Sequence, residues 1–381
     1  MPTHVEATDL AEIRRREFPI IDSWLYFDTA TYGPHPRRYV QTISDVADRL
    51  STGLLGTTSE GVEGVRSASA QLLGAPEANV ALLRSTGEGT NLVTGGLEWH
   101  AGDEVILYEL DFPSLVAPWL ALGERGVNVA VVADRGRHRF EVEDFERLLS
   151  PRTRAVSVSL VNNTTGFRAP VEALAELCRA RGLWFTVDAV QAVGSVLVDV
   201  PSLQADVVSA HGYKFQMSGF GYALVYLSDR AIDTLGVPHI GIRNLQPGDG
   251  RRLFESGLEL YPNARRFEPS VPNLPAILAM HASLELLLEA GLAQIDAHNR
   301  GLCQRLIEGL LRKGYDMVTS QRPGESAGIV CAVKPGVDQE SIREHLANRR
   351  IVCAVRGGRI RFAPHLFNTL DEVEQVIASL P

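Results

Sequence analysis

Short runs of β-branched and other apolar residues recur through the middle of this chain, with helical stretches between them. The clearest are Glu104–Tyr108, Asn128–Val132, Ala155–Leu160, Trp184–Val187, Asp206–Ser209 and Ala223–Leu227. Several lack the polar alternation of a half-exposed strand. Both of their faces must therefore be buried, as in a mainly parallel sheet covered by helices on each side. The intervening stretches carry a helical period with arginine-rich outer faces, as in Val171–Ala180. This alternation predicts an α/β domain over residues 26–275. A helix over Ile277–Ala290 leads into a smaller α+β C-terminal domain, residues 276–381, with strands at Gly328–Val333 and Arg359–Ala363. The first 25 residues are expected to pack on the smaller domain. No internal repeat, low-complexity tract or long linker interrupts the pattern.

Composition removes several function classes. The 381 residues, 45% of them hydrophobic and 22% charged, supply enough core for two packed units. With 37 basic and 46 acidic side chains the net charge is -9, which argues against nucleic acid or an anionic membrane as partner. Cys178, Cys303, Cys331 and Cys353 form no CxxC or Cys/His cluster, so neither a disulfide framework nor a metal site is expected. The opening residues, MPTHVEATDLAEIRRREF, contain no apolar signal core. The greasy stretch Leu274–Leu292 is interrupted by Pro275, His281, Glu285 and Glu289 and reads as a buried helix. A cytoplasmic globular protein is the expectation. The clusters Gly87-Glu88-Gly89 and Gly219-Phe220-Gly221 lack the G-x-G-x-x-G spacing and no P-loop is present, so the nucleotide-binding reading recedes.

Three lysines, Lys214, Lys313 and Lys334, stand against 34 arginines. Such a bias follows the base composition of a GC-rich genome, and it restricts lysine chemistry to three positions. Lys214 ends Ser209-Ala210-His211-Gly212-Tyr213-Lys214, at the carboxyl end of a buried strand, where open α/β sheets bind ligands. A desolvated lysine there loses basicity and becomes an amine nucleophile, whereas an isolated loop lysine would simply be solvated. One βαβ step earlier, Asp188 follows the apolar run Trp184–Val187. An isolated strand-end aspartate is most often a helix N-cap. Together with Lys214 at this spacing, it suits the binding of pyridoxal 5'-phosphate (PLP), whose pyridine nitrogen a carboxylate keeps protonated.

From Tyr26-Phe27-Asp28-Thr29-Ala30-Thr31-Tyr32-Gly33-Pro34 to Pro364-His365-Leu366-Phe367-Asn368-Thr369, the chain resembles the class V aminotransferase family. That family of PLP enzymes includes cysteine desulfurases, kynureninase and isopenicillin N epimerase. The resemblance implies the α/β PLP-dependent transferase fold type I. Its large domain has a mainly parallel, seven-stranded sheet, and its C-terminal domain is a smaller α+β unit. A homodimer with shared active sites is implied as well. Position by position, Lys214 matches the lysine that carries the cofactor and Asp188 the partner of its ring nitrogen. Gln191 and Asn163 match residues that hydrogen-bond its ring oxygen. Arg84–Asn91 matches the phosphate loop, with Ser85, Thr86 and the Gly87 amide at a helix N-terminus that favours a dianion. An ordinary Ser/Thr helix cap would look the same. Phe112, in Asp111-Phe112-Pro113-Ser114, falls where an aromatic covers the ring. It can stack but cannot exchange protons, which leaves Lys214 as the acid–base group. His211 occupies a serine-like phosphate position, and Tyr213 matches kynureninase rather than the desulfurases. Arg361 matches the arginine that grips the substrate α-carboxylate. Arg359 shares its face if the segment is a strand, as an alternative clamp or a solvated neighbour. Ser270 lies in the segment that reaches a partner subunit's phosphate, where the family threonine is replaced by Val271.

The departures from the family narrow the chemistry. Desulfurases carry a nucleophilic cysteine on a loop just before the carboxylate-binding arginine. Here Val355-Arg356-Gly357-Gly358-Arg359 leaves no such loop, and Cys353 falls in an apolar run read as a strand. Ordinary persulfide chemistry is not expected. The resemblance therefore implies action at the α-carbon of a small amino-acid substrate, with β-elimination of the C–S lyase type favoured. Transamination, epimerisation and decarboxylation-coupled deamination are the alternatives, and a non-enzymatic sensor or scaffold is the competing class. The lysine-poor composition suits a bacterium's specialised metabolism, where relatives in antibiotic biosynthesis process amino-acid thioether conjugates.

Overall fold

The computed structural model describes residues 8–53, 58–246 and 253–381. Its strands in chain order are β1 (Leu25–Tyr26), β2 (Val80–Leu83), β3 (Glu104–Tyr108), β4 (Asn128–Val132), β5 (Thr153–Ser159), β6 (Trp184–Asp188), β7 (Val207–His211), β8 (Ala223–Leu227), β9 (Asp316–Met317), β10 (Val330–Val333), β11 (Ile351–Val352), β12 (Ala354–Arg356) and β13 (Arg359–Phe362). Among the described residues, seven of them form one sheet in the order β2-β8-β7-β6-β5-β3-β4. All run parallel except β8, which is antiparallel to both of its neighbours.

Continuous apolar runs follow from burial on both faces. Within β6, Phe185 and Val187 join one core while Trp184 joins the other; within β3, Ile106 and Tyr108 face one and Val105 and Leu107 the other. The edge strand β4 is only partly covered. The helices Thr58–Leu73, Val171–Ala180 and Leu274–Ala290 contribute to the larger core, and Thr86–Gly96 and Pro113–Ala121 to the smaller.

A third core lies under the antiparallel sheet β12-β13-β10-β9 and the helices Leu292–Arg312, Gln339–Ala347 and Leu370–Ser379. The N-terminal helix Leu10–Glu17 is tied to this end of the chain by Arg14, which donates to the Phe367 carbonyl and to Glu372. Among the described residues, no single helix is long and apolar enough to cross a membrane.

Three local expectations need correction. Asp188 is the last residue of β6 rather than the first beyond it, and β7 runs on to His211. Both extensions arise because the ladders of neighbouring strands continue: Asp188 pairs with Ser159 and Ser209, and His211 with Ala223. Cys353 lies between strands, where the chain leaves β1, the parallel partner of β11, and begins its antiparallel pairing with β13.

Candidate active site

The carboxyl ends of β6 and β7 open into a cleft lined by Ser85, Thr86, Gly87, Phe112, Asn163, Asp188, Gln191, His211, Tyr213 and Lys214. These were singled out from the sequence; Ser114, Ser159, Val161 and Val190 complete the lining. Ser270 is elsewhere, in a neighbouring cavity with Arg84, Glu88, Tyr222 and Arg243. Arg359 and Arg361 stand behind Asn163 and Thr164 rather than on the cleft wall.

Lys214 is 6% exposed, on a loop locked from several sides. Gly33 donates its N–H to the Tyr213 carbonyl at 2.8 Å, and Met217 donates to the Lys214 carbonyl at 2.8 Å. A side chain at Gly33 would collide with that same Lys214 carbonyl, so this close approach requires glycine. The Gln216 amide donates to the Ala210 and His211 carbonyls, both at 3.3 Å. Burial pulls Lys214 down from 10.5 to about 8, against the opposing pull of the Asp188 charge; the Arg361 and Arg356 charges push the same way as burial. Its Nζ lies 5.4 Å from the centre of the Phe112 ring and 5.6 Å from that of Tyr213.

Asp188 is buried, and its Oδ1 accepts the Val190 N–H at 2.9 Å. Burial raises its pKa, while that N–H and the Lys214 charge act in the opposite sense. On the far side of the cleft, Thr86–Gly96 is an eleven-residue helix whose N-cap, Ser85, accepts the Glu88 N–H at 3.2 Å. The N–H groups of Thr86 and Gly87 stand in the first turn, where no intrahelical acceptor exists. Phe112 is the residue before the helix Pro113–Ala121, half-exposed beside Lys214.

The donor set fits a phosphorylated pyridine. Two cleft residues hold buried polar atoms with no protein partner, Gln191 Oε1 and His211 Nδ1. Gln191 is anchored by its amide, which donates to the Ala30 carbonyl at 3.1 Å. Burial pushes His211 down to about 4, so its imidazole is neutral near pH 7. A carboxylate at the inner end, an aromatic face, a lysine amine and a helix N-terminus together offer a partner to each part of PLP.

Asp111 and the partners of Arg361 escaped the sequence reading. Asp111 is buried with Oδ1 accepting the Ser159 N–H at 3.1 Å and Oδ2 without a partner; burial pushes it up to about 7. Arg361 is 1% exposed and already engaged, donating to the Asn163 carbonyl at 3.0 Å, Asp28 Oδ1 at 3.0 Å and Thr31 Oγ1 at 2.7 Å. Asp28 and Thr31 sit inside the quoted Tyr26–Pro34 motif, but nothing in that motif names an arginine more than 300 residues away as their partner.

The sequence profile described as Aminotransferase class-V matches residues 26–377. A probable cysteine desulfurase of Pyrococcus abyssi (strain GE5 / Orsay) is 24% identical, over 96% of each chain. Among solved structures, a cysteine desulfurase from Thermococcus onnurineus NA1 superposes with a TM-score of 0.86 at 23% identity, covering 98% of this chain and 97% of that one. A cystine C–S lyase in complex with its product cysteine persulfide gives 0.85 at 21% identity, over 95% and 98%. Both share the fold.

Proposed function

The chain belongs to the class-V aminotransferase family, and from that premise we propose that it is a C–S lyase acting on a cysteine thioether. The family's cofactor is PLP, which supplies an electron sink for the bonds at the substrate Cα. In this proposal the first-turn N–H groups of Thr86 and Gly87, with the Ser85 hydroxyl, hold the phosphate. Asp188 would hold a proton on the ring nitrogen, a cation that opposes the upward push of burial on its carboxyl. Gln191 and Asn163 approach the ring oxygen, and His211, neutral, accepts near the phosphate. Phe112 and Tyr213 pack against the cofactor. Lys214 would anchor it through its Nζ and, with that amine free, would take the proton from the substrate Cα. It then returns that proton to sulfur as the Cβ–S bond breaks. Arg361 orients the α-carboxylate.

The observation that carries the lyase reading is the hairpin β12–β13. Gly357 and Gly358 have φ of +57° and +74° and close it in two residues, with Arg356 opposite Arg359. No loop remains there to present a cysteine. Cys353 itself is buried, and burial pushes its thiol up to about 12. All four cysteines are buried in this way. Sulfur therefore leaves as a free thiol instead of passing to a protein thiolate.

The relatives named as probable cysteine desulfurase and the C–S lyase fold neighbour support chemistry at a carbon–sulfur bond. A thioether conjugate from specialised metabolism is the proposed substrate. The proposal includes a homodimer. Ile240 and Ile242, exposed, flank Gly241, which packs on Pro269, beside the exposed Val271 and the cavity containing Ser270; a partner covering this apolar rim would meet Ser270.

A panel of S-substituted cysteines assayed without added keto acid tests the reaction. Sustained release of thiol, ammonia and a keto acid is expected. A single turnover that leaves pyridoxamine phosphate would replace the lyase with an aminotransferase, and release of carbon dioxide with a decarboxylation-coupled enzyme.

A further inference from the structure

The hairpin that removes the cysteine loop puts something else in its place. In the β12–β13 register Arg356 lies opposite Arg359 and Ala354 opposite Arg361. Cross-strand partners share a face, as do residues two apart along one strand. Arg356, Arg359 and Arg361 therefore stand on one face, while Ile360 and Phe362 on the other enter the core. Like charges directly opposite each other destabilise a hairpin, so the fold gains nothing from this arrangement.

Few carboxylates answer the three cations. Arg361 pairs with Asp28. Arg359 reaches the Thr164 carbonyl at 3.5 Å and the His138 ring at 3.3 Å, and His138 in turn lies 3.3 Å from Asp134. Arg356, among the described residues, has no carboxylate within salt-bridge distance; its guanidinium donates to the Val355 carbonyl at 2.9 Å and to Thr31 Oγ1 at 3.0 Å. That hydroxyl is the one Arg361 also uses, and it donates to Asp28 at 2.7 Å. Two guanidinium groups thus converge on one threonine with one carboxylate between them. Arg361 Nε is buried without a partner. The cluster reaches the cleft through Asn163, a lining residue whose carbonyl accepts from Arg361 at 3.0 Å, and the charges of Arg361 and Arg356 are both felt at Lys214.

We propose that Arg356 is a specificity-determining residue that binds a second carboxylate, at the far end of the substrate side chain. The inference rests on reading the cleft as an amino-acid site, and it names the substrate class: amino acids whose side chain ends in an acid, such as carboxyalkyl thioethers of cysteine. Arg361 takes the α-carboxylate in competition with Asp28. Arg356, exposed and held only by neutral oxygens, is free to take the other.

The test is equilibrium binding to the holoenzyme by titration calorimetry. The ligands are L-aspartate, L-glutamate and L-2-aminoadipate, each beside its side-chain amide, none with a sulfur leaving group. At least one acid should bind about 10- to 100-fold more tightly than its amide, the range of a charge-assisted pair. Arg356→Gln should bring that ratio to within about twofold, and Arg356→Lys should keep part of it. Equal binding of every acid and amide by the wild type, or a preference that survives Arg356→Gln, overturns the proposal. Thiol release from S-methylcysteine with no acid preference would sink this inference and leave the lyase standing. An Arg356-dependent preference without thiol release from any S-substituted cysteine would do the reverse.

Discussion

In the cofactor-free protein, the titration of Lys214 measures the electrostatics of the whole cleft. Burial brings its pKa from 10.5 to about 8. At pH 7.5 about a quarter of the molecules then carry a neutral amine, against about one in a thousand for an ordinary lysine. The same displacement is a folding cost of about 3 kcal/mol below pH 8, because the unfolded chain binds the proton more tightly; the cost is lost, and stability rises, as pH climbs from about 8 to 10.5. Asp188 opposes the shift and Arg356 assists it. Asp188→Asn should therefore move the midpoint below that of the wild type, and Arg356→Gln should move it above. Trace acetylation of the cofactor-free protein across pH 6 to 11, followed by peptide mass mapping, reads each of the three lysines in one digest. Limited access scales the plateau at Lys214 but leaves its midpoint unchanged. A Lys214 midpoint at or above 10.5, or an upward move in Asp188→Asn, would refute the argument that burial and these charges set its reactivity.

Three further outcomes are expected. Asp188→Asn, saturated with cofactor, should lose more than ~100-fold in turnover, since an amide cannot hold the ring proton and ~3 kcal/mol of barrier follows; steady-state rates at saturating PLP check it. Cys353→Ser should keep wild-type turnover with a modest loss of thermal stability, and inactivity of a folded, cofactor-loaded variant would revive persulfide chemistry. Asp111, raised to about 7, contributes stability fully present below pH 3.8 and lost as pH rises through 7. Asp111→Asn should consequently stabilise the protein by about 3 kcal/mol more at pH 8 than at pH 5, as thermal midpoints at those two values would show.

The main sheet was legible because each central strand is buried on both faces, which leaves an unbroken apolar run ended by a polar residue. Asp188 ends one such run and Lys214 stands three residues beyond another, and the edge of a parallel sheet brings its carboxyl ends together. β2 was missed: Val80–Leu83 is four residues long, too short for periodicity to separate strand from helix. The partner change at Cys353 was equally hidden, because apolar residues on both sides of it suit either pairing. Arg356 was read only as part of a missing loop. Its place beside Arg359 and Arg361 on one face depends on the register of a hairpin, which two glycines fix and composition does not reveal.

The partners of Arg361 show what lies beyond such reading. A guanidinium so deeply buried needs its charge answered, and the fold answers it with Asp28, Thr31 and a carbonyl from segments distant in sequence. Yet the answer is incomplete. Gln191 Oε1 and His211 Nδ1 on the cleft wall, and Arg361 Nε and Asp111 Oδ2 on side chains bonded to the lining residues Asn163 and Ser159, are buried without protein partners. Each such atom would destabilise a chain that folded around nothing. Local sequence cannot encode them, because an unmet hydrogen bond is defined by the absence of a neighbour and neighbours are set by tertiary packing. These four lie where a carboxylate, a lowered lysine and a helix N-terminus already converge. A polar ligand with oxygens, a ring nitrogen and a phosphate, such as the family's cofactor, would answer the unmet atoms on the cleft wall.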